Sequence, residues 1–409
     1  MILRILTEEE QYKEAINSAV AFETPLDYKA IENGTYEQKI IPPVNGYETS
    51  TFGAFDDDDV TLYGSIGAYP YVVRYDGHEV MMRGIGNVAT LPSYRRKGAI
   101  SQCFHQMLQD SYEQGYLFSY LYPFSRAYYR KFGYGCNLAN HIWTIYFKGW
   151  KPYKTKGRVE LLLPEDSHDI LNEVYANAMK SYNLSVVRQE HDYAYYKERD
   201  TFHHRRYAYV WYNEEGIPKA YLIFRKETND GKTIMDCTHT FASKNDFVVV
   251  DAQGFQGIMD FASTFANDYD GIQFALPSDM HIEGLIHEAN YTKCERVLSG
   301  MVRVIRVEDV LKYSRYRGSG TISICIEDEY CIENNGTFTI TFVNGQCENV
   351  EKSQEDYTAK MNIATFSELI VGTYESVASC YNLDLIIGRE SDDSGNIFYR
   401  KNNRVMDLF

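Results

Sequence analysis

The spacing of apolar and polar positions changes several times along the chain. Ile100, Cys103, Phe104, Met107, Leu108 and Tyr112 recur at steps of three and four, which predicts one face of a helix. Gln102, Gln106, Gln109, Asp110 and Glu113 fall on its other faces, and Gly115 is a natural stop. Ahead of that helix, Leu62–Ala68, Tyr71–Tyr75 and Glu79–Val88 read as strands. Pro70 separates the first two and an Asp76-Gly77 turn the last two. The first ten residues read as a strand entering a helix, and Leu117–Leu121 as a strand after the long helix. Strands alternating with helices are an α/β pattern.

After Gly149-Trp150-Lys151-Pro152 the layout partly repeats. A helix is predicted over Ser167–Lys180, and strands over Tyr207–Tyr212 and Ala220–Arg225 around a Glu214-Glu215-Gly216 turn. A strand at Phe247–Val250 then precedes Gly254, Gly257 and an apolar helix at Ile258–Phe265. From Met301 the pattern changes again. Met301–Arg306 alternates, and Thr321–Ile326 and Phe338–Phe342 read as sheet around an Asn334-Asn335-Gly336 turn. A helix near Phe366–Tyr381 completes an α+β module. The predicted domains are 1–150, 151–297 and 298–409, which suits a 409-residue chain at about 150 residues per domain.

Composition narrows the function classes. With 44% hydrophobic and 24% charged residues the chain reads as an ordinary globular protein. No run of about 18 apolar residues predicts a membrane span. Glu8, Glu9 and Glu10 turn the start acidic too early for a signal peptide, so a cytoplasmic location is expected. The eight cysteines lack any C-x-x-C and read as reduced thiols. His203-His204 beside Arg205-Arg206 reads as a surface cluster, and without H-x-x-H or H-E-x-x-H no metal is predicted. A net charge of −16 argues against nucleic acid and weakly favours cationic small molecules. The run Asp56–Asp59 reads as a solvated hairpin tip.

The chemistry concentrates at Val88–Ala99, where a strand runs through Pro92 into Arg95-Arg96-Lys97-Gly98 and then the helix. That order brings free backbone N–H groups, the positive end of a helix dipole and cationic side chains to one point, an anion site suited to phosphate. Just upstream, Gly84-Ile85-Gly86-Asn87-Val88-Ala89 has the spacing of a dinucleotide motif, but it does not open a helix. A G-x-x-x-x-G-K-[ST] loop is absent. Both the NAD and the nucleoside-triphosphate readings are therefore rejected.

These residues resemble the GNAT acetyltransferases, whose [Q/R]-x-x-G-x-[G/A] loop grips the pyrophosphate of acetyl-CoA. Arg95 takes the first position and Gly98 the central one, while Ile100 replaces the final small residue. That departure is similar to the Eis branch, which has two GNAT-like domains followed by a sterol-carrier-like module. The resemblance implies a fold of two tandem GNAT-like α/β domains and a sterol-carrier-like α+β domain, the second domain lacking the CoA loop. It implies acetyl-CoA as co-substrate, held by Val88, Ala89, Thr90, Arg95, Arg96, Lys97, Gly98, Ala99, Ile100, Ser101, Phe124 and Ser125. Tyr128-Tyr129-Arg130-Lys131-Phe132-Gly133-Tyr134-Gly135 looks like the Y-x-R-F-G-Y-G segment, with Lys131 where arginine is usual. The general acid is thereby expected at Tyr129, with Tyr128 and Tyr134 as rivals. A phenol near pKa 10 is protonated at neutral pH and suits a departing thiolate. The apolar end Val405-Met406-Asp407-Leu408-Phe409 matches the branch in which a terminal phenylalanine carboxylate serves as the base. The acceptor implied is a small cationic amine, aminoglycoside- or polyamine-like, and the assembly implied is a homo-oligomer, a hexamer in that branch. The alternative is a CoA- or lipid-binding regulatory protein without turnover.

Overall fold

The computed structural model describes residues 1–37, 41–136, 139–163, 166–167, 169–192, 201–238, 245–354, 356–388 and 394–409. The chain forms two compact units. One comprises Met1–Asn137, Gly300–Lys401 and Phe409, and the other Leu138–Ser299 and Asn402–Leu408. Among the described residues no helix is long and apolar enough to cross a membrane.

The first unit opens with β1 (Ile2–Ile5), α1 (Gln11–Phe22) and α2 (Tyr28–Glu32). Then come β2 (Ser50–Phe55), β3 (Leu62–Tyr75), β4 (His78–Thr90), α3 (Ala99–Glu113), β5 (Phe118–Leu121), α4 (Arg126–Arg130) and β6 (Gly135–Cys136). The sheet runs β1-β2-β3-β4-β5, then the strand Met301–Val304, then β6. The predicted helix is α3, and it buries Ile100, Cys103, Phe104, Met107 and Leu108 against Phe52, Ala54, Ile66 and Ile85 of the sheet. Gly115 takes φ 84° just past its end, where a side chain would be strained.

Two expectations are corrected here. Pro70 does not divide two strands but lies inside the fourteen-residue β3. β2 pairs with β3 only as far as Ala68, so the N–H that Pro70 lacks falls on an edge with no ladder to break. Met301–Val304 does not alternate or open the third module. All four residues are buried, and the strand pairs antiparallel with β5 and β6 inside the first sheet.

The acidic run sits at the tip between β2 and β3, where Asp59 pairs with Arg4 at 2.8 Å and Asp57 with the amino group of Met1. The second sheet of this unit is ordered 346–353, 336–343, 320–327, 359–362 and 386–387. Its helix is Ile363–Ile370, far shorter than predicted. Gly372 at φ 72° turns the chain there, and Ser376 starts a separate turn at Val377–Ser379.

The other unit holds an eight-stranded sheet. Helix Ala252–Ser263 packs on it with Phe255, Ile258, Met259 and Ala262 in the core. Gly254 and Gly257, expected before that helix, lie within it. A β-carbon on Gly257 would stand 2.1 Å from the Trp211 ring, so close packing explains the glycine.

Candidate active site

β4 carries an irregularity where the site begins. Ser65 pairs with Ala89 but Gly67 with Gly86, so one extra residue bulges from β4, and Asn87 takes φ 51°. β5 pairs with β4 only from Met82 to Ile85. From Gly86 to Thr90, therefore, β4 has no strand on that side, and its outward backbone groups are left for a ligand. Val88 and Thr90 are half-buried there and Ala89 is buried.

Past Thr90 the chain makes a single turn at Pro92–Tyr94, then Arg95 is extended and Arg96 takes φ 65°. Gly98, at φ 83°, is the N-cap of α3 and offers no side-chain bond to the helix. The first helical amide to find a carbonyl is Gln102, on Gly98 O at 3.1 Å, which leaves those of Ala99, Ile100 and Ser101 uncapped. A β-carbon on Gly98 would meet nothing within 4 Å, so the approach is open. Arg95 and Arg96 are exposed and make no ion pair among the described residues. Lys97 is placed differently. Its ammonium lies 4.9 Å from the rings of Tyr63 and Tyr94, which stack at 4.1 Å. Two exposed guanidiniums and three unbonded amides thus belong to neighbouring residues around the open Gly98. The side chains of Ala99 and Ile100 are buried, so these residues bring only backbone.

The tyrosines of the next segment separate by environment. Ser125 caps α4, its Oγ accepting from Tyr128 N at 3.3 Å, so that hydroxyl is already engaged. Tyr134 is fully buried with its hydroxyl 2.7 Å from Ser119 Oγ, a packing role. Tyr128 is half-buried beneath the Lys131 ammonium at 4.0 Å, where Lys131 stands in place of the usual arginine. Tyr129 packs edge-on to Phe104 of α3 at 5.9 Å and to Phe124 at 5.3 Å, and Phe124 itself is 74% exposed. No side chain hydrogen-bonds the Tyr129 hydroxyl among the described residues. Burial pushes this phenol well above its ordinary value, with Tyr128 and Tyr134 adding to the shift, so it keeps its proton at neutral pH. The next residue, Arg130, is held by Glu368 at 3.0 Å, Thr365 Oγ1 at 2.9 Å and Asp384 at 3.4 Å. Glu368 also accepts from Cys136 N at 2.8 Å, so α4 and β6 share one anchor.

Phe409 lies on β4. Its ring stacks on Tyr122 at 5.5 Å and meets Tyr71 at 5.0 Å and Tyr120 at 5.9 Å. A β-carbon on Gly84 would come within 2.6 Å of that ring, and one on Gly86 within 2.6 Å of the Phe409 carbonyl oxygen. The glycines rejected as a dinucleotide motif are the ones that clear room for Phe409.

Residues 4–136 match the acetyltransferase (GNAT) domain family, and residues 307–401 the sterol carrier protein domain family. Residues 4–136 are a GNAT acetyltransferase domain. Solved structures share the fold over the whole chain. A conserved protein of unknown function from Enterococcus faecalis V583, described as a probable N-acyltransferase, is 21% identical, with a TM-score of 0.83 over 100% of this chain and 99% of that one. A GCN5-related N-acetyltransferase from Anabaena variabilis is 18% identical, with a TM-score of 0.81 over 100% of both chains. Eis1 from Mycobacterium abscessus is 16% identical, with a TM-score of 0.76 over 100% of this chain and 99% of that one. No curated protein matches in sequence.

Within the GNAT domain the strand residues 88–90, the loop 95–98 and the start of α3 follow one another around one strand end, and Phe409 lies on the same strand. Tyr129 joins them through its packing on α3. Gly84, Gly86, Tyr71, Tyr120, Tyr122 and Glu368 are neighbours of the site that sequence reasoning missed. A G-x-G inside a strand, which implies close approach of another group, was the available signal for the first two. Among the described residues no three His, Cys, Asp or Glu side chains cluster as a metal site.

Proposed function

We propose that the protein is an acetyl-CoA-dependent N-acetyltransferase acting on an amine of a small cationic molecule of aminoglycoside or polyamine type. The observation that carries this reading is the uncapped start of α3 beside the unpaired Arg95 and Arg96, a cradle for a pyrophosphate. The pantetheine arm would lie along the unpaired edge of β4 at Gly86–Thr90, which brings the thioester toward Phe409. A neutral amine attacks the thioester carbonyl carbon. The C–N bond forms from the nitrogen lone pair, and the C–S bond breaks with its pair going to sulfur. The Phe409 carboxylate accepts the proton released by nitrogen, and Tyr129 donates one to the thiolate. The products are the N-acetyl amine and CoA thiol.

Self-association into a homo-oligomer, a hexamer by resemblance, belongs to the same reading, and sedimentation measures it. So does a cytoplasmic location, supported by eight cysteines that are all unbonded. The test is calorimetry with acetyl-CoA followed by thiol release over a panel of amines and lysine peptides. Binding with turnover on small amines is expected. Binding without turnover on any amine favours a CoA-sensing regulator, and no binding removes the reading.

A further inference from the structure

Away from Arg95 and Phe409, the first unit holds an open cavity of about 530 Å³ between the end of α4 and the sterol-carrier-like module. Arg130 and Lys131 line it from α4, and Glu327, Asp328 and Glu329 from the end of strand Gly320–Glu327. Below it lies a guanidinium with donors to spare. Arg303 is fully buried on strand Met301–Val304 and donates through Nη2 to both oxygens of Asp328, at 2.7 and 2.8 Å. Its Nε and Nη1 are buried without a partner among the described residues, a costly arrangement for so polar a group. A β-carbon on Gly133 would stand 1.6 Å from Nη1, so the free edge of the guanidinium lies directly under that glycine. Gly133 and Asp328, which flank the guanidinium, both line the cavity.

Most charges around the cavity are already matched. Glu327 holds Lys360 at 2.6 Å, and Asp328 also accepts from the amides of Tyr330 and Cys331 at 3.0 and 3.2 Å. Arg130 is taken up by Glu368, Thr365 and Asp384. Two exposed charges of opposite sign remain. Lys131 meets only the rings of Tyr128 and Phe132, at 4.0 and 4.6 Å, and Glu329 has no hydrogen bond or ion pair among the described residues. The positive end of helix Ile363–Ile370 adds to the side of Lys131 and Arg303. Its cap, Asn362 Oδ1, takes the Thr365 amide at 3.0 Å, and the two residues before Thr365, Ile363 and Ala364, line the cavity. An anion is thus favoured by Lys131, the helix start and the spare edge of Arg303, and a cation by Glu329. A lone carboxylate or a lone amine would leave one of the two unanswered. We propose that this cavity binds a free amino acid, its carboxylate taken by Lys131 and the helix start over Arg303, and its ammonium by Glu329. Neither Tyr129 nor Phe409 lines the cavity, so this ligand is distinct from the acetyl acceptor and the assignment stands apart from the acetyltransferase reading.

The experiment measures calorimetric binding and melting temperature of the full chain with each of the common free amino acids in turn. At least one is expected to bind and to raise the melting temperature. Its α-amide and its N-acetyl derivative, each lacking one of the two charges, should bind roughly tenfold more weakly. Lys131→Ala and Glu329→Gln, which alter exposed side chains, should weaken binding by a similar factor and leave acetyl-CoA affinity unchanged. Absence of heat and of any melting shift with every amino acid at millimolar concentration overturns the assignment, whatever the variants do. Equal binding of the amide and the N-acetyl derivative overturns it too. So does undiminished binding in both folded variants, which would put the ligand elsewhere on the protein.

Discussion

Two strand-to-helix junctions in this chain begin alike and end oppositely. In the first unit β4 leads to α3 through Gly98, and the helix amides stay open beside Arg95 and Arg96. In the second, strand Phe247–Val249 leads to helix Ala252–Ser263 through Asp251, whose Oδ1 accepts from Gly254 N at 2.9 Å. The other Asp251 oxygen takes Lys219 Nζ at 2.8 Å. Burial opposes ionisation of Asp251, but Lys219 and the Gly254 amide outweigh it and hold the carboxyl below its usual range. The positive end of the second helix is therefore filled by an anion of the chain's own. A helix dipole is present at both junctions, and one residue at the cap decides whether it stabilises the fold or stays available to a ligand.

That contrast breaks or sharpens under substitution. The largest effect belongs to Phe409. Adding a few residues after it is expected to abolish turnover with little change in melting temperature, because an uncharged peptide bond replaces the carboxylate. Full activity in the extended protein would remove the carboxylate from the mechanism, and Phe409→Leu should be milder. Tyr129→Phe is expected to lower kcat roughly a hundredfold with acetyl-CoA affinity nearly intact. Damage at Tyr128→Phe instead would move the acid by one residue. Trading caps tests the comparison directly. Gly98→Asp places a carboxylate at the open junction, and acetyl-CoA affinity measured by calorimetry should fall about tenfold, or about 1.4 kcal/mol. Arg96→Glu should act in the same direction, and unchanged affinity in both folded proteins would sink the anion site. The smallest effect is expected at Asp251→Ala, a loss of ~1 kcal/mol in denaturant unfolding with acetyl-CoA affinity unchanged.

What the sequence made legible was local. The α3 face, its uncapped start, the Asp76-Gly77 turn and the cation cluster all depend on residues within a few positions of one another. Pro70 misled because its tolerance depends on β2 stopping at Ala68, a fact about a neighbouring strand. Met301–Val304 misled because Arg303, the polar position that made the run alternate, is buried on a long-range ion pair with Asp328 at 2.7 Å. The anchoring of Arg130 by Glu368, and the approach of Phe409 to Gly84 and Gly86, join positions far apart in the chain. Periodicity carries no trace of such contacts. The glycines were visible, but their partner was not.

The strand Met301–Val304 also bears on the order in which the protein is made. β5 leaves the ribosome with β4 on one side and nothing on the other, and it keeps a bare edge until the stretch 138–299 of the other unit has been synthesised. A pairing of such long sequence separation is slow to form, and an open edge invites association with other nascent chains. The inserted unit, nearly continuous in sequence, is free to fold while the first waits. A fragment cut near residue 150 would keep the acetyltransferase loop and lose the strand that closes its sheet. Aggregation of that fragment on expression would report a missing neighbour for β5 and nothing about the chemistry of the loop.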